Sequence, residues 1–289
     1  MIDPGSMKSR YPGITPGSER DRAERWAFTL LELLVVIGIV GLLAGLLLPA
    51  LSRGKEKARG IKCLGNVKQL LLGWKLYADD HDGELVPNIE PPNGTGGWVQ
   101  GWMDYSGSTA NTNTAFLVDP QFAGLGLYLE NARIFKCPSD RSTATINGQT
   151  HPRVRSYAMS NAMGDPLGGL ALPSPPYQTY MNMADIVAPS PDRAFVFLDE
   201  HPDSINNGVF GVFMADPSQP QQNAILDYPG SYHNGGSNLG FADGHAETHI
   251  WLDARTRPPI RGTPLQLGVY SPNNVDVQWL STRTSALSQ

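Results

Sequence analysis

The chain has 289 residues, enough for one sizeable domain with extensions. Its 22 Lys and Arg against 27 Asp and Glu leave a net charge of −5, which argues against a general nucleic-acid binder. Gly (31) and Pro (24) are frequent, so long loops are expected, and the two cysteines form no Cys-x-x-Cys pair of the zinc-ribbon or thioredoxin type.

Residues 1–27 carry Lys8, Arg10, Arg20, Arg22 and Arg25 against Asp3, Glu19, Asp21 and Glu24, a nearly balanced segment. Residues 28–51 then read as a membrane helix: from Leu33 to Leu51 no side chain is charged. At about 1.5 Å per residue this run crosses a hydrocarbon core of about 30 Å. It is longer than the roughly 7–15 apolar residues of a cleaved secretory signal. One carboxylate, Glu32, stands near its start. A charge at the centre of such a helix costs about 2.5–3.5 kcal/mol on insertion scales, so an intramembrane carboxylate is a functional candidate. Arg53, Lys55, Lys57, Arg59 and Lys62 follow the span, and a plain positive-inside count would put the N-terminus outside.

Past Pro49 the helix is expected to continue over residues 52–82. Ile61, Leu64, Val67, Leu71, Trp74 and Ala78 recur every three or four residues, a stripe that packs on a globular head. Asp79-Asp80-His81-Asp82-Gly83 ends it. Residues 83–135 are rich in Gly, Asn and Thr and read as loops, with one short helix over 123–129. Trp98, Trp102 and Tyr105 lie among them, either covering a core or forming a glycan-contacting surface.

Residues 134–140 read as a short strand ending in a turn, residues 154–160 as another strand, and residues 164–177 as a long surface loop. Ala194-Phe195-Val196-Phe197-Leu198 is apolar throughout, as a central strand is. Residues 208–213 add another. Residues 240–242 and 245–251 flank Asp243-Gly244, a dipeptide suited to a tight hairpin. Several strands after one long helix predict an α+β fold with an antiparallel-sheet head over residues 83–252. Residues 253–289 read as an extension whose last ten residues are disordered.

Asp199, Glu200 and Asp203 end the central strand, where ligands are well placed. With His233 and Asp243 they offer oxygen and nitrogen donors. Three readings stand open. Calcium would take six to eight oxygens. A zinc hydrolase would need about three ligands and an open position. In a purely structural role Asp243 caps the turn, Gly244 supplies positive φ, and His233 bonds a loop carbonyl or Asp243. His245, Glu247 and His249 alternate along a strand and read as a solvated face. Cys63 and Cys137 are either two unrelated buried thiols or, if both lie outside the cytoplasm, a disulfide worth about 2–4 kcal/mol.

Counting Phe28 as first, Glu32 is the fifth residue and Pro49 the twenty-second. This arrangement resembles the N-terminus of type IV prepilins and type II secretion pseudopilins. His233 and Asp243-Gly244 enclose nine residues, similar to the H-X9-DG motif of prepilin-like proteins abundant in Planctomycetes and Verrucomicrobia. Residues 63–69, 137–140 and 156–161 also resemble segments of that group, so the likeness runs from Phe28 to about Trp251. The resemblance implies a peptidase cut between Ala27 and Phe28, where Ala27 replaces the usual Gly, and methylation of the new amine. It implies that Glu32 pairs with the N-terminal amine of a neighbouring subunit. It further implies a single-pass bacterial inner-membrane protein, leader in the cytoplasm and head outside, with a structural rather than enzymatic role. Its partners would be a prepilin peptidase and other pilin-like subunits, with no nucleic acid. Major pseudopilins hold Ca2+ in head loops, which makes calcium the cofactor the likeness suggests. The rival readings are an anchored glycan-binding protein using Trp98 and Trp102, and a metallohydrolase using Asp199, His233 and Asp243.

Overall fold

A computed structural model describes residues 29–88, 96–164, 177–214 and 216–287. Ala27 and Phe28 lie outside the described residues. The chain divides into two compact units between Ala50 and Leu51.

The first unit holds the beginning of helix α1 (Leu30–Asp80). Thr29 caps it. The Glu32 backbone N–H donates to Thr29 Oγ1 (3.2 Å), and Glu32 Oε2 accepts from the Thr29 N–H (2.9 Å) and hydroxyl (2.7 Å). This reciprocal pair is a capping box, which Thr29-Leu30-Leu31-Glu32 spells out in the sequence. The helix contains an 18-residue window of mean hydropathy 2.7, none of it buried. It is long and apolar enough to cross a membrane, and among the described residues no other helix is.

The second unit is the head, an α+β arrangement around a five-stranded sheet. Its strands are β3 (Tyr157–Ser160), β4 (Phe195–Asp199), β5 (Val209–Phe210), β7 (Gly236–Phe241) and β8 (Ala246–Ile250). The spatial order is β5-β3-β4-β7-β8. All neighbours are antiparallel except β3 and β5, which run parallel at one edge. Two small sheets lie apart: β1 (Thr143–Ile146) with β2 (Gln149–Pro152), and β6 (Ala224–Ile225) with β9 (Val269–Tyr270).

The part of α1 that belongs to the head buries Cys63, Val67, Leu70, Leu71, Trp74 and Ala78 in one core with Tyr157, Met159, Val196 and Phe197. Ile61, read as part of this stripe, is instead exposed. The inward face runs through Cys63 and Leu70. The other side of the sheet presents Ala158, Phe195, Leu198, Leu239 and Phe241 to Trp251 and Leu280. A register shift in β4 between Phe195 and Phe197 places Val196 and Phe197 in the same core. On β7, Leu239 and Phe241 face the second core, and small Gly240 comes so close to α1 that a Cβ there would meet Val67 and Leu71.

Three expectations are corrected and one hairpin is added. Residues 134–140 are not a strand: Ala132–Phe135 is a 3-10 turn whose Arg133 N–H donates to Asn131 Oδ1 (3.1 Å). Residues 123–129 form turns, and the short helix lies earlier, as α2 (Ala115–Val118). Asn147-Gly148, both at positive φ, makes the β1–β2 hairpin, a dipeptide signal the sequence reading passed over. The extension is ordered through Leu287. Asn274 caps α3 (Val275–Thr284), whose Leu280 enters the second core, and Tyr177 bridges to Leu287.

Candidate functional site

Four segments of the head meet at one buried cluster: Cys63 from α1, Cys137 after the 3-10 turn, Asp199 at the end of β4, and His233 in the turn before β7. One ligand atom from each lies within 4.8 Å of all the others. His233 Nε2 is 3.2 Å from Asp199 Oδ2 and 3.6 Å from Cys137 Sγ. Cys63 Sγ is 3.9 Å from Asp199 Oδ2 and 3.0 Å from the Tyr157 hydroxyl.

Each member is held from behind. The Asn238 N–H donates to Asp199 Oδ1 (2.6 Å), and the Cys137 N–H donates to Ser156 Oγ (3.1 Å). His233 and Gly236 exchange backbone hydrogen bonds at 3.2 Å, which fixes the turn carrying the imidazole. Asn238 Nδ2 reaches the Gly60 carbonyl (3.1 Å) and ties β7 to the helix beside Cys63.

Burial dominates the electrostatics. It pushes the Cys63 thiol well above its usual range, with Cys137 and Asp199 adding to the rise. Burial likewise raises the Tyr157 phenol. At Cys137 burial also acts upward, but hydrogen bonds with Cys63 and His233 outweigh it and leave the thiol lowered. Burial opposes protonation of His233, yet Asp199 and Cys137 overcome it and bring the imidazole up to about 10. His233 borders an open groove of about 1070 Å3, lined also by Arg53, Lys57, Gly60 and Leu64.

Of the predicted ligands, Asp199 and His233 come together and the rest do not. Asp243 lies at the β7–β8 turn. The six residues of β7, at about 3.3 Å each, separate it from His233. Its Oδ1 accepts from the His245 N–H (2.9 Å), and Gly244 follows at φ +102°. The H-X9-DG pair thus marks the two ends of one strand. Asp203 accepts from the N–H groups of Arg261 (2.6 Å) and Gly262 (3.2 Å) and from the Tyr105 hydroxyl. It borders a separate cavity of about 210 Å3 with Trp102 and Arg153. Glu200 points elsewhere, accepting from Ser204 Oγ (2.8 Å).

Cys63 and Cys137 are neighbours, as the disulfide reading required, but both are free thiols. Trp98 is not an open platform: it is buried and donates from Nε1 to the Gly208 carbonyl (2.9 Å), while Trp102 is exposed. His249 is not simply solvated, since its ring stacks on Trp279 with centroids 3.6 Å apart. Sequence reasoning missed the thiols as cluster members because no local spacing joins them to Asp199 and His233.

Behind the cluster, burial raises Glu200 well above the carboxylate range, and nearby Asp227 adds to the rise. Burial also lifts Asp227 from 3.8 to about 7, against the opposing hydrogen bond from the Gly211 N–H (2.6 Å). A carboxyl raised in the folded state favours folding fully below pH 4 and loses that contribution as pH rises through 7. The full shift corresponds to about 4 kcal/mol, and partial exposure reduces this to about 2 kcal/mol. Asp227→Asn should therefore flatten the decline of stability between pH 4 and 8 and leave the variant the more stable at pH 8. Urea unfolding of the detergent-solubilised chain at both pH values checks this.

No family model, curated protein or solved structure matches the chain.

Proposed function

We propose that this chain is a membrane-anchored, pilin-like structural subunit, assembled through its N-terminal helix into a type II secretion or type IV pilus-like fibre. A prepilin peptidase would cut before Phe28 and free the amine that the assembly step needs. The reading rests on one observation above all. The helix is apolar from Leu33 to Leu51, none of its most apolar 18-residue window is buried among the described residues, and Glu32 is the one carboxylate at its start. Helices of this kind gain by packing on other helices within lipid. An unpaired carboxylate at that depth gains from a neighbour's amine, since two charges each costly in lipid cost less as a pair.

Glu32 also closes the capping box with Thr29, so its substitution must separate charge from capping. Glutamine serves in a capping box but carries no charge. Under assembly by charge pairing, Glu32→Gln and Glu32→Ala should both insert into the membrane and both fail to enter the fibre. A pair worth about 1.4 kcal/mol already implies a tenfold loss of incorporation. Incorporation of Glu32→Gln at the parent level would leave capping as the residue's whole role. Mass spectrometry of the N-terminal peptide of membrane-extracted protein tests processing: an N-methylated Phe28 is expected. An uncut leader would make the chain an anchored ectodomain and end the assembly reading.

A further inference from the structure

We propose that Cys63, Cys137, Asp199 and His233 form a closed, four-coordinate site for one thiophilic divalent metal ion, zinc above all. The ion would fasten α1 to the sheet of the head. The inference is independent of whether the chain enters a fibre.

Four features carry it. The first is spacing. A tetrahedral zinc site with bonds of about 2.0–2.3 Å has edges of about 3.3–3.8 Å between ligand atoms. The edges here that join neighbouring ligands are 3.2, 3.6 and 3.9 Å, and none exceeds 4.8 Å. The cluster thus needs only small side-chain shifts to close on an ion.

The second is donor type. Two sulfurs, one imidazole nitrogen and one carboxylate oxygen suit zinc and other borderline-soft ions. Calcium, with its six to eight oxygens, is excluded by this set: only Asp199 offers an oxygen, and Glu200, Asp203 and Asp243 are engaged elsewhere.

The third is the direction of approach to His233. Cys137 Sγ and Asp199 Oδ2 both approach the same ring nitrogen, Nε2. A nucleophile–base–carboxylate relay needs them on opposite nitrogens, so the cluster is not a catalytic triad. A single N–H cannot bond well to two groups at once, whereas an ion set among the three would bind them all.

The fourth is the surrounding shell. The Tyr157 hydroxyl is 3.0 Å from Cys63 Sγ, placed to donate to a thiolate, and the Asn238 N–H holds the second oxygen of Asp199. Such outer contacts orient ligands in metal sites. With four protein ligands and no open position, the site is structural rather than catalytic. Binding takes both cysteines as thiolates and His233 as the neutral imidazole, and the protons these three groups carry pass to solvent. It requires no oxidant.

The test uses the full chain, extracted in detergent and purified without chelator. Elemental analysis should find one zinc per chain. After removal of zinc under reducing conditions, added Co2+ should give the strong visible absorption of a tetrahedral centre and a near-ultraviolet thiolate-to-cobalt band. Cys63→Ser, Cys137→Ser and His233→Ala should each lose the thiolate–tetrahedral spectrum or weaken cobalt binding at least about tenfold, while His245→Ala keeps both. Because a ligand variant can also fail to fold, the parent protein supplies a second reading. Chelation should lower its Tm by about 10 °C, and zinc should restore it. A reduced parent chain that takes up neither zinc nor cobalt would overturn the proposal. So would a Cys63–Cys137 disulfide in freshly extracted, alkylated protein, because oxidation consumes two of the four ligands.

Discussion

Trp74→Ala should destabilise the head by about 3–5 kcal/mol, the range for emptying a buried aromatic site. Trp74 is fully buried on α1 and packs in the core that joins the helix to β3 and β4. Losing it removes the largest side chain that the helix contributes. Trp74→Phe should cost far less, within about 1.5 kcal/mol of the parent. The indole Nε1 is buried and has no hydrogen-bond partner among the described residues, so phenylalanine gives up some packing but removes an unpaired donor. Urea unfolding of the three proteins checks both the size and the order of the effects. A Phe variant as unstable as the Ala variant would mean that the indole bonds to something and that the volume argument is incomplete.

Gly236→Ala should be nearly as damaging, at about 3 kcal/mol, for a different reason. A Cβ at Gly236 would stand 2.2 Å from the His249 carbonyl oxygen and 2.9 Å from its carbon. These are backbone atoms in the paired strand β8, and no rotamer change can move them aside. The displacement would also reach the His233–Gly236 backbone pair, so the variant should also bind zinc more weakly if the proposed site holds it. Gly65→Ala is the control. Gly65 lies within α1 with nothing near its Cβ position, and alanine there should stabilise by about 0.5–1 kcal/mol. If the two alanine variants behave alike, close backbone approach is not what Gly236 provides.

The features legible in the sequence are those with a local period or a local dipeptide. β4 was visible as five apolar residues in a row, and the β7–β8 hairpin as Asp243-Gly244 between two runs. The long helix was visible as an apolar span followed by a stripe, though Ile61 was placed on the wrong side and Cys63 and Leu70 were left out. What escaped depends on tertiary contact. β5 is only two residues long and owes its existence to pairing beside β3. The Ser- and Thr-rich α3 has weak helical preference and is held by its Asn274 cap and by Leu280 in the core. The cluster was half legible. A carboxylate at a strand end and a histidine before a hairpin are recognisable candidates. Two cysteines from separate segments have no signature in spacing, and Asp243 looked like a ligand because nine residues separate it from His233, although a strand keeps them apart.

The ordered C-terminal segment has a consequence for how the protein is made. Leu280 covers the face of the sheet formed by Phe195, Leu239 and Phe241, and the Gln178 N–H donates to the Ala286 carbonyl (3.0 Å). Synthesis at about 5–20 residues per second puts on the order of ten seconds between the emergence of Phe195 and that of Leu280. Leu239, Phe241 and Trp251 emerge within that interval, so this sheet face is completed and partly covered by Trp251 before Leu280 arrives. The C-terminal helix α3 is thus the last element to close over the second core, and the head folds to completion only once the chain is nearly finished.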